Sequence, residues 1–477
     1  MVGRKHECSE LNRLYDGKRA ELIAIYGRRR VGKTFLVDEA FAGRITFRHA
    51  GLAPTDEHSA NLLRDQLDHF YNSLLLHGME RCDKPSTWLD AFFLLEKFLQ
   101  GIDNGTRQLV FLDELPWLDT PRSGFLRAFE GFWNTWGCHR KNLMVVVCGS
   151  APSWIANKLI NNHGGLYNRV TYEIKLSPFT LRECEEFYDD ADVRLSRYDI
   201  AQSYMVFGGI PYYLGYMEPT LSLAQNIDKL FFDSGAPLRD EFDRLFNSVF
   251  ASPEIKKSIV RLLHTRNAGF TRKEITQKLG ISDGGRLTNH LNALLASDFI
   301  VRYVPFGMSK RAEHYKLVDP FCLFYLRFVS GARNIGPHFW QQNTSSQPVV
   351  TWRGLAFENV CFNHVDQIKA ALGVLGVIST SSTWSKRADD ETGAQIDLLI
   401  SRNDNVVNMC EIKYYGGDFA VDKDYYKVLL GRQQLLMKSV SPKMTIHSTL
   451  ITTFGLKHNE YANAFTNVVI LDDLFRF

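Results

Sequence analysis

Gly27-Arg28-Arg29-Arg30-Val31-Gly32-Lys33-Thr34 decides the reading of this chain. It follows an apolar run, Leu22-Ile23-Ala24-Ile25-Tyr26, and precedes Phe35-Leu36-Val37-Asp38-Glu39-Ala40, which has a helical pattern. Strand, glycine loop and helix in that order, with the spacing G-x-x-x-x-G-K-[ST], make a phosphate-binding loop. The residue types are the ones the chemistry needs. Glycines let the backbone wrap closely, so its N–H groups point at phosphate oxygens. The helix N-terminus adds a positive dipole end. Lys33 would reach the β- and γ-phosphates of ATP, and Thr34 would hold Mg²⁺. The expected nucleotide contacts are Gly27, Arg28, Arg29, Arg30, Val31, Gly32, Lys33, Thr34 and Phe35. Of the three arginines, one would touch phosphate, the others being solvated or gripping a partner domain. A plain glycine-rich basic turn is the alternative, and the flanking strand and helix argue against it.

Composition bounds the rest. At 477 residues the chain exceeds one hydrophobic core, so about two to four domains are expected. Its 45% hydrophobic and 23% charged residues are those of ordinary soluble globular proteins. The net charge of +3 neither demands nor excludes nucleic acid, because a basic face can hide in a near-neutral total. The eight cysteines are scattered singly with no C-x-x-C pair, which points to reduced thiols rather than a zinc knuckle or disulfide framework. The opening Met1-Val2-Gly3-Arg4-Lys5-His6-Glu7 lacks the apolar core of a signal peptide, and no run approaches transmembrane length. A cytoplasmic protein without a membrane partner is expected.

Residues 1–177 alternate strand and helix patterns, as a P-loop α/β core with a parallel sheet would. Strands are expected at 45–50 and 170–174, and helices at 56–76 and 87–99. Gln108-Leu109-Val110-Phe111-Leu112-Asp113-Glu114 is a continuous apolar strand ending in two acids, suited to burial on both faces. Asp113 would bind Mg²⁺ through water, and Glu114 would orient or deprotonate the attacking water. The alternative is two acids capping a helix N-terminus. Leu143–Ser150 is a further strand. Ser150, at its carboxyl end, would touch the γ-phosphate or the attacking water, or cap the helix that follows. Arg169 is a candidate arginine finger, acting in cis or on a neighbouring subunit of a homo-oligomer, or else an ordinary surface arginine.

Residues 178–250 read as a helical lid subdomain. Residues 251–320 read as a winged helix-turn-helix of three helices and a hairpin. Its third helix would offer Arg286, Asn289 and His290 to a DNA groove, and its wing Lys310 and Arg311. A purely intramolecular spacer is the alternative. Residues 321–350 form a connector, in which the polar run 341–348 is the expected linker.

Residues 351–477 carry a second constellation. Glu358 lies on a helix, Asp397 on a strand, and Glu411-Ile412-Lys413 on its hairpin partner. Gln433 and Gln434 lie on a later helix. This order fits the restriction-endonuclease arrangement. Asp397 and Glu411, with the Ile412 carbonyl, would bind one or two Mg²⁺ ions, Glu358 joining the metal set, and Lys413 would position or activate water. Two residues apart on a strand, Glu411 and Lys413 share a face. The spacing E-x-K alone means little, since Glu254-Ile255-Lys256 repeats it in a helical context. An ion pair among Asp397, Glu411 and Lys413 on a solvated face is the alternative.

Over nearly its full length the chain resembles the archaeal-type ATPases of the AAA+/STAND P-loop group. In those proteins an ATPase and a winged helix precede a C-terminal domain similar to PD-(D/E)xK nucleases. The resemblance is carried by Val2-Gly3-Arg4 with Glu7, Tyr26 through Thr34, Phe111-Leu112-Asp113-Glu114, Cys148-Gly149-Ser150 and Leu166-Tyr167-Asn168-Arg169. Gly208-Gly209-Ile210-Pro211, Gly354-Leu355-Ala356-Phe357-Glu358, Ile396-Asp397 and Glu411-Ile412-Lys413 extend it. It implies ATP binding and hydrolysis, with Arg4 near the adenine side. The proline familiar before the first nuclease acid is Ile396 here. The expected activity is an ATP-driven switch coupled to a Mg²⁺-dependent nuclease-like domain acting on DNA. The alternative is an ATP-dependent regulator that binds DNA or protein, with a silent nuclease fold.

Overall fold

Five of the apolar runs become one parallel sheet in a computed structural model of the chain, which describes residues 2–53, 62–161, 164–250, 252–331, 336–386 and 394–477. Its strands are β1 (Glu21–Tyr26), β2 (Phe47–Ala50), β3 (Gln108–Asp113), β4 (Leu143–Gly149) and β5 (Tyr172–Lys175). Their order is β2-β3-β4-β1-β5. All five are parallel, and β1, β3 and β4 are almost wholly buried. Their unbroken apolar composition had no polar face to give to water. β4 lies between β1 and β3. The loop after β1 and the acids ending β3 therefore flank the carboxyl end of β4, where Ser150 stands.

One face of this sheet is covered by helices Leu62–Leu76, Trp88–Gly101 and Phe125–Thr135. The expected start of the first, at 56–61, lies outside the described residues. Trp88, Phe92, Phe125, Phe129 and Phe132 pack ring against ring in this core. Each such side chain contributes up to about 3 kcal/mol of transfer free energy. These elements belong to a compact unit, Met1–Ser177; a second comprises Pro178–Phe477.

The second unit opens with helices Leu181–Asp190, Arg197–Phe207, Leu223–Phe231 and Glu241–Val249. Gly209 has φ 64°, and a Cβ there would lie 2.3 Å from the Phe179 carbonyl oxygen. The Phe179 N–H donates to the Gly209 carbonyl at 2.7 Å, so glycine is required for this close approach. Three helices follow, Pro253–His264, Arg272–Leu279 and Gly285–Ala296, with β6 (Phe270–Thr271), β7 (Ile300–Tyr303) and β8 (His314–Leu317) in the order β6-β8-β7. Arg286, Asn289, Lys310 and Arg311 are exposed, but His290 is buried and not available to a groove. It sits one position before Leu291, on the helix face that Leu287 and Leu294 bury.

The polar run 341–348 is not a free linker. Helices Phe339–Asn343 and Gln347–Asn363 occupy most of it. The buried Asp228 carboxylate accepts the Trp340 and Gln341 N–H groups at 2.7 and 3.0 Å, and the Gln341 side-chain amide at 3.0 Å. A polar composition signalled solvent where it supplied hydrogen bonds. The last sheet contains β9 (Ser379–Lys386), β10 (Ala394–Arg402), β11 (Val406–Lys413), β12 (Thr445–Thr452) and β13 (Asn467–Ile470), in the order β13-β12-β11-β10-β9. β10 is antiparallel to β9 and β11, whereas β11, β12 and β13 are parallel. Phe306, in the β7–β8 loop, packs on Trp384, Ile396 and Leu399 of this sheet's core, and its N–H donates to the Thr383 carbonyl at 3.1 Å. Among the described residues no helix is long and apolar enough to cross a membrane.

Candidate functional site

The loop from Gly27 to Gly32 turns sharply off β1 into helix Lys33–Ala40. A Cβ at Gly27 would stand 2.2 Å from the Leu176 carbonyl oxygen, so only glycine lets the loop start flush against the chain leaving β5. Lys33 folds back over this loop. Its buried ammonium donates to the carbonyls of Gly27 at 3.2 Å and Arg28 at 3.0 Å. Burial lowers its pKa below the usual lysine range, while Glu114, Cys148 and Asp113 oppose that shift.

Thr34 Oγ donates to Asp113 Oδ2 at 2.7 Å, joining the helix start to the end of β3. A hydroxyl and a carboxylate oxygen side by side are hard donors of the kind Mg²⁺ takes, so these two residues fit that ion. Glu114 adopts φ 47° and ψ 49°. Its carboxylate accepts both the Ser150 N–H at 2.9 Å and the Ser150 hydroxyl at 2.8 Å. Lys33, Thr34, Asp113, Glu114 and Ser150 are thus joined by direct bonds or close charge interaction at one edge of the sheet.

The remaining expected contacts separate. Arg28 is fully buried, and Val31 is buried with it. Arg29 lies 5.6 Å from the centre of the Trp117 ring, a cation–π contact the sequence did not disclose. Arg30 has φ 75° and is partly exposed, and Phe35 is well exposed. Arg4 is buried, donates to the Ser177 carbonyl and faces Glu7 at 3.8 Å. Arg169 occupies an exposed turn, its N–H donating to the Leu166 carbonyl at 3.1 Å.

In the second unit, Glu411 is buried at 3% exposure on β11. It pairs with Lys413 at 2.9 Å, accepts from Arg432 at 2.7 Å and accepts the Tyr425 hydroxyl. Burial alone would raise its pKa, but Lys413 and Arg432 bring it below the usual carboxylate value. Arg432 and Tyr425 come from helix Lys423–Met437, on which the sequence had pointed to glutamines. Asp397 is pushed up to about 7, by burial first and then by Glu358 and Glu411. Burial also raises Glu358, against the pull of Lys316. Asn267 donates to Glu358 at 2.7 Å. Glu358 and Asp397 line a cavity of about 480 Å³ with Lys316, Asn267, His314 and Gln395.

Among the described residues no three His, Cys, Asp or Glu side chains gather at metal-binding spacing. Glu358, Asp397 and Glu411 therefore do not form the expected metal set, because Glu411 is turned to Lys413, Arg432 and Tyr425. Lys413 donates to Glu411, but on a buried face and without Asp397, so the three-residue ion pair on a solvated face is present only in part. Lys316 and Asn267 were missed. Only three-dimensional proximity joins them to acids lying tens of residues further along, and no local pattern marks that.

Residues 1–217 match the family model of an ATPase domain predominantly from Archaea. An uncharacterised protein of Methanocaldococcus jannaschii is 29% identical over 335 residues, which cover 69% of this chain and 69% of that protein. Among solved structures, a Walker-type ATPase of Pyrococcus abyssi is similar at 18% identity, covering 69% of this chain and 96% of its own, with a TM-score of 0.46. The Aeropyrum pernix ORC2 protein, solved as ADPNP–ADP complexes, is similar at 14% identity over 70% of this chain and 95% of its own, with a TM-score of 0.43.

Proposed function

We propose that this protein binds and hydrolyses ATP as a switch, and that its second unit acts on DNA through a nuclease-like C-terminal sheet. The observation that carries the ATP reading is the joining of Lys33, Thr34 and Asp113 across the carboxyl ends of β1 and β3. ATP would lie along the loop, its phosphates facing backbone N–H groups and the Lys33 ammonium. Mg²⁺ would be held by Thr34 and Asp113 and would offset charge developing on the γ-phosphate. Glu114 would orient the attacking water, and Ser150 holds its carboxylate in one direction. Arg169 is the candidate for the charge supplied from outside the loop.

Steady-state ATP hydrolysis by Lys33→Ala tests this. Turnover should fall at least about 100-fold, the scale of losing one charged transition-state contact. Turnover at the parent rate would remove the site assignment. A second reading, an ATP-dependent regulator with a silent C-terminal fold, is favoured by one observation: both Glu411 oxygens are engaged by protein donors. DNA incubated with Mg²⁺ or Mn²⁺ separates the two. Cleavage that disappears in Glu411→Ala and Lys413→Ala supports the nuclease, and uncut DNA supports the regulator.

A further inference from the structure

Lys316 is an unusual residue to find inside a protein. It is 2% exposed on β8, yet no hydrogen-bond acceptor within the described residues receives its ammonium. Its neighbours are the Phe362 ring, 4.7 Å from the nitrogen, and the charges of Glu358 and then Asp397. Glu358 and Phe362 are four apart on helix Gln347–Asn363, so they present one face to it. Burying an ammonium is costly unless opposite charge compensates it. Among the described residues the acids acting on it are the two that line the same cavity.

Three carboxyl groups, Glu358, Asp397 and Glu411, stand beside three basic side chains, Lys316, Lys413 and Arg432. The hairpin that brings Lys316 is fastened in place. Asn267 donates to Glu358 at 2.7 Å, and Phe306 packs on Trp384 and Ile396 while its N–H bonds the Thr383 carbonyl at 3.1 Å.

We infer that Lys316, carried by the β7–β8 hairpin, supplies the positive charge that Glu358 and Asp397 would otherwise take from a divalent cation, so the C-terminal acids stay metal-free while that hairpin is docked. The inference rests on reading the C-terminal sheet as nuclease-like, and it gives the preceding three-helix module the work of closing that site.

Manganese binding to the nucleotide-free full chain, measured by calorimetry and electron paramagnetic resonance, tests it. The parent should show no Mn²⁺ site that depends on Asp397. Lys316→Gln should gain one, at least about tenfold tighter than anything in the parent, and lose it again on adding Asp397→Asn. Lys316→Arg should behave as the parent. Phe306→Ser, which loosens the hairpin without adding a charge, should gain the same site, so the idea does not depend on Lys316→Gln folding. An Asp397-dependent site of equal affinity in the parent overturns the inference, as does the absence of any gain in both Lys316→Gln and Phe306→Ser. DNA cleavage is scored separately. A variant that gains Mn²⁺ but cuts nothing leaves the inference standing and removes the nuclease reading.

Discussion

Ser150 holds the Glu114 carboxylate through two hydrogen bonds, at 2.9 and 2.8 Å, from backbone and hydroxyl. Ser150→Ala removes the hydroxyl bond and leaves the backbone one. Because a hydrogen bond to a charged group is worth about 1.5–3 kcal/mol, ATP turnover should drop roughly 10- to 100-fold. Nucleotide affinity, measured by calorimetry, should barely move, since the bond touches the acid and not the loop. The buried His364 makes a different prediction. Its Nε2 accepts the Leu181 N–H at 3.0 Å, which needs a neutral ring, and its Nδ1 donates to the Val360 carbonyl at 2.8 Å. Burial lowers its pKa from 6.5 to about 4. The folded pKa being depressed, this stability is complete above pH 6.5 and is lost as pH falls towards 4, where the unfolded chain takes a proton the fold refuses. Urea unfolding at pH 7 and pH 4 should show that His364→Gln loses less on acidification than the parent, by on the order of 3 kcal/mol. That Gly27–Gly32 turns from a strand into a helix, and that Asp113 and Glu114 come at the end of β3, was legible, because fixed spacing fixes the local geometry. The fates of Arg28, Arg29 and Arg30 were not, since three identical side chains in a row carry no directional signal.

At the scale of elements, strands were the easiest to see. An apolar run such as Leu143–Gly149 has one reading wherever both faces are covered. The polar stretch after Trp340 was harder, because glutamine and serine serve solvent and buried carboxylates equally well. Asp228 makes the difference. Asp228→Ala would leave the Trp340 and Gln341 N–H groups without their acceptor, and should cost about 3 kcal/mol. Chemical denaturation followed by tryptophan fluorescence reads that loss, Trp340 being itself buried. The order of the last sheet could be drawn only in part. The β10–β11 hairpin is local in sequence, whereas the parallel pairing of β11, β12 and β13 depends on crossovers that no short pattern announces.

At the scale of the molecule, the chain comprises two units that meet in sequence at Ser177 and Pro178. On one side the Leu176 N–H bonds the Tyr26 carbonyl at 2.7 Å, and the Leu176 carbonyl abuts Gly27 of the phosphate loop. On the other, Phe179 is bonded to Gly209 at 2.7 Å within the second unit. Between these two anchorages run only two residues, one a proline with a fixed φ. A connection this short is expected to carry a shift of the phosphate loop to Phe179. Lengthening it by about six glycine and serine residues adds roughly 20 Å of reach. ATP hydrolysis should survive that insertion, while any nucleotide-dependent change in hydrogen exchange at Leu181–Asp190 should vanish. Persistence of that change would show the two units communicate by some route other than their shared rope.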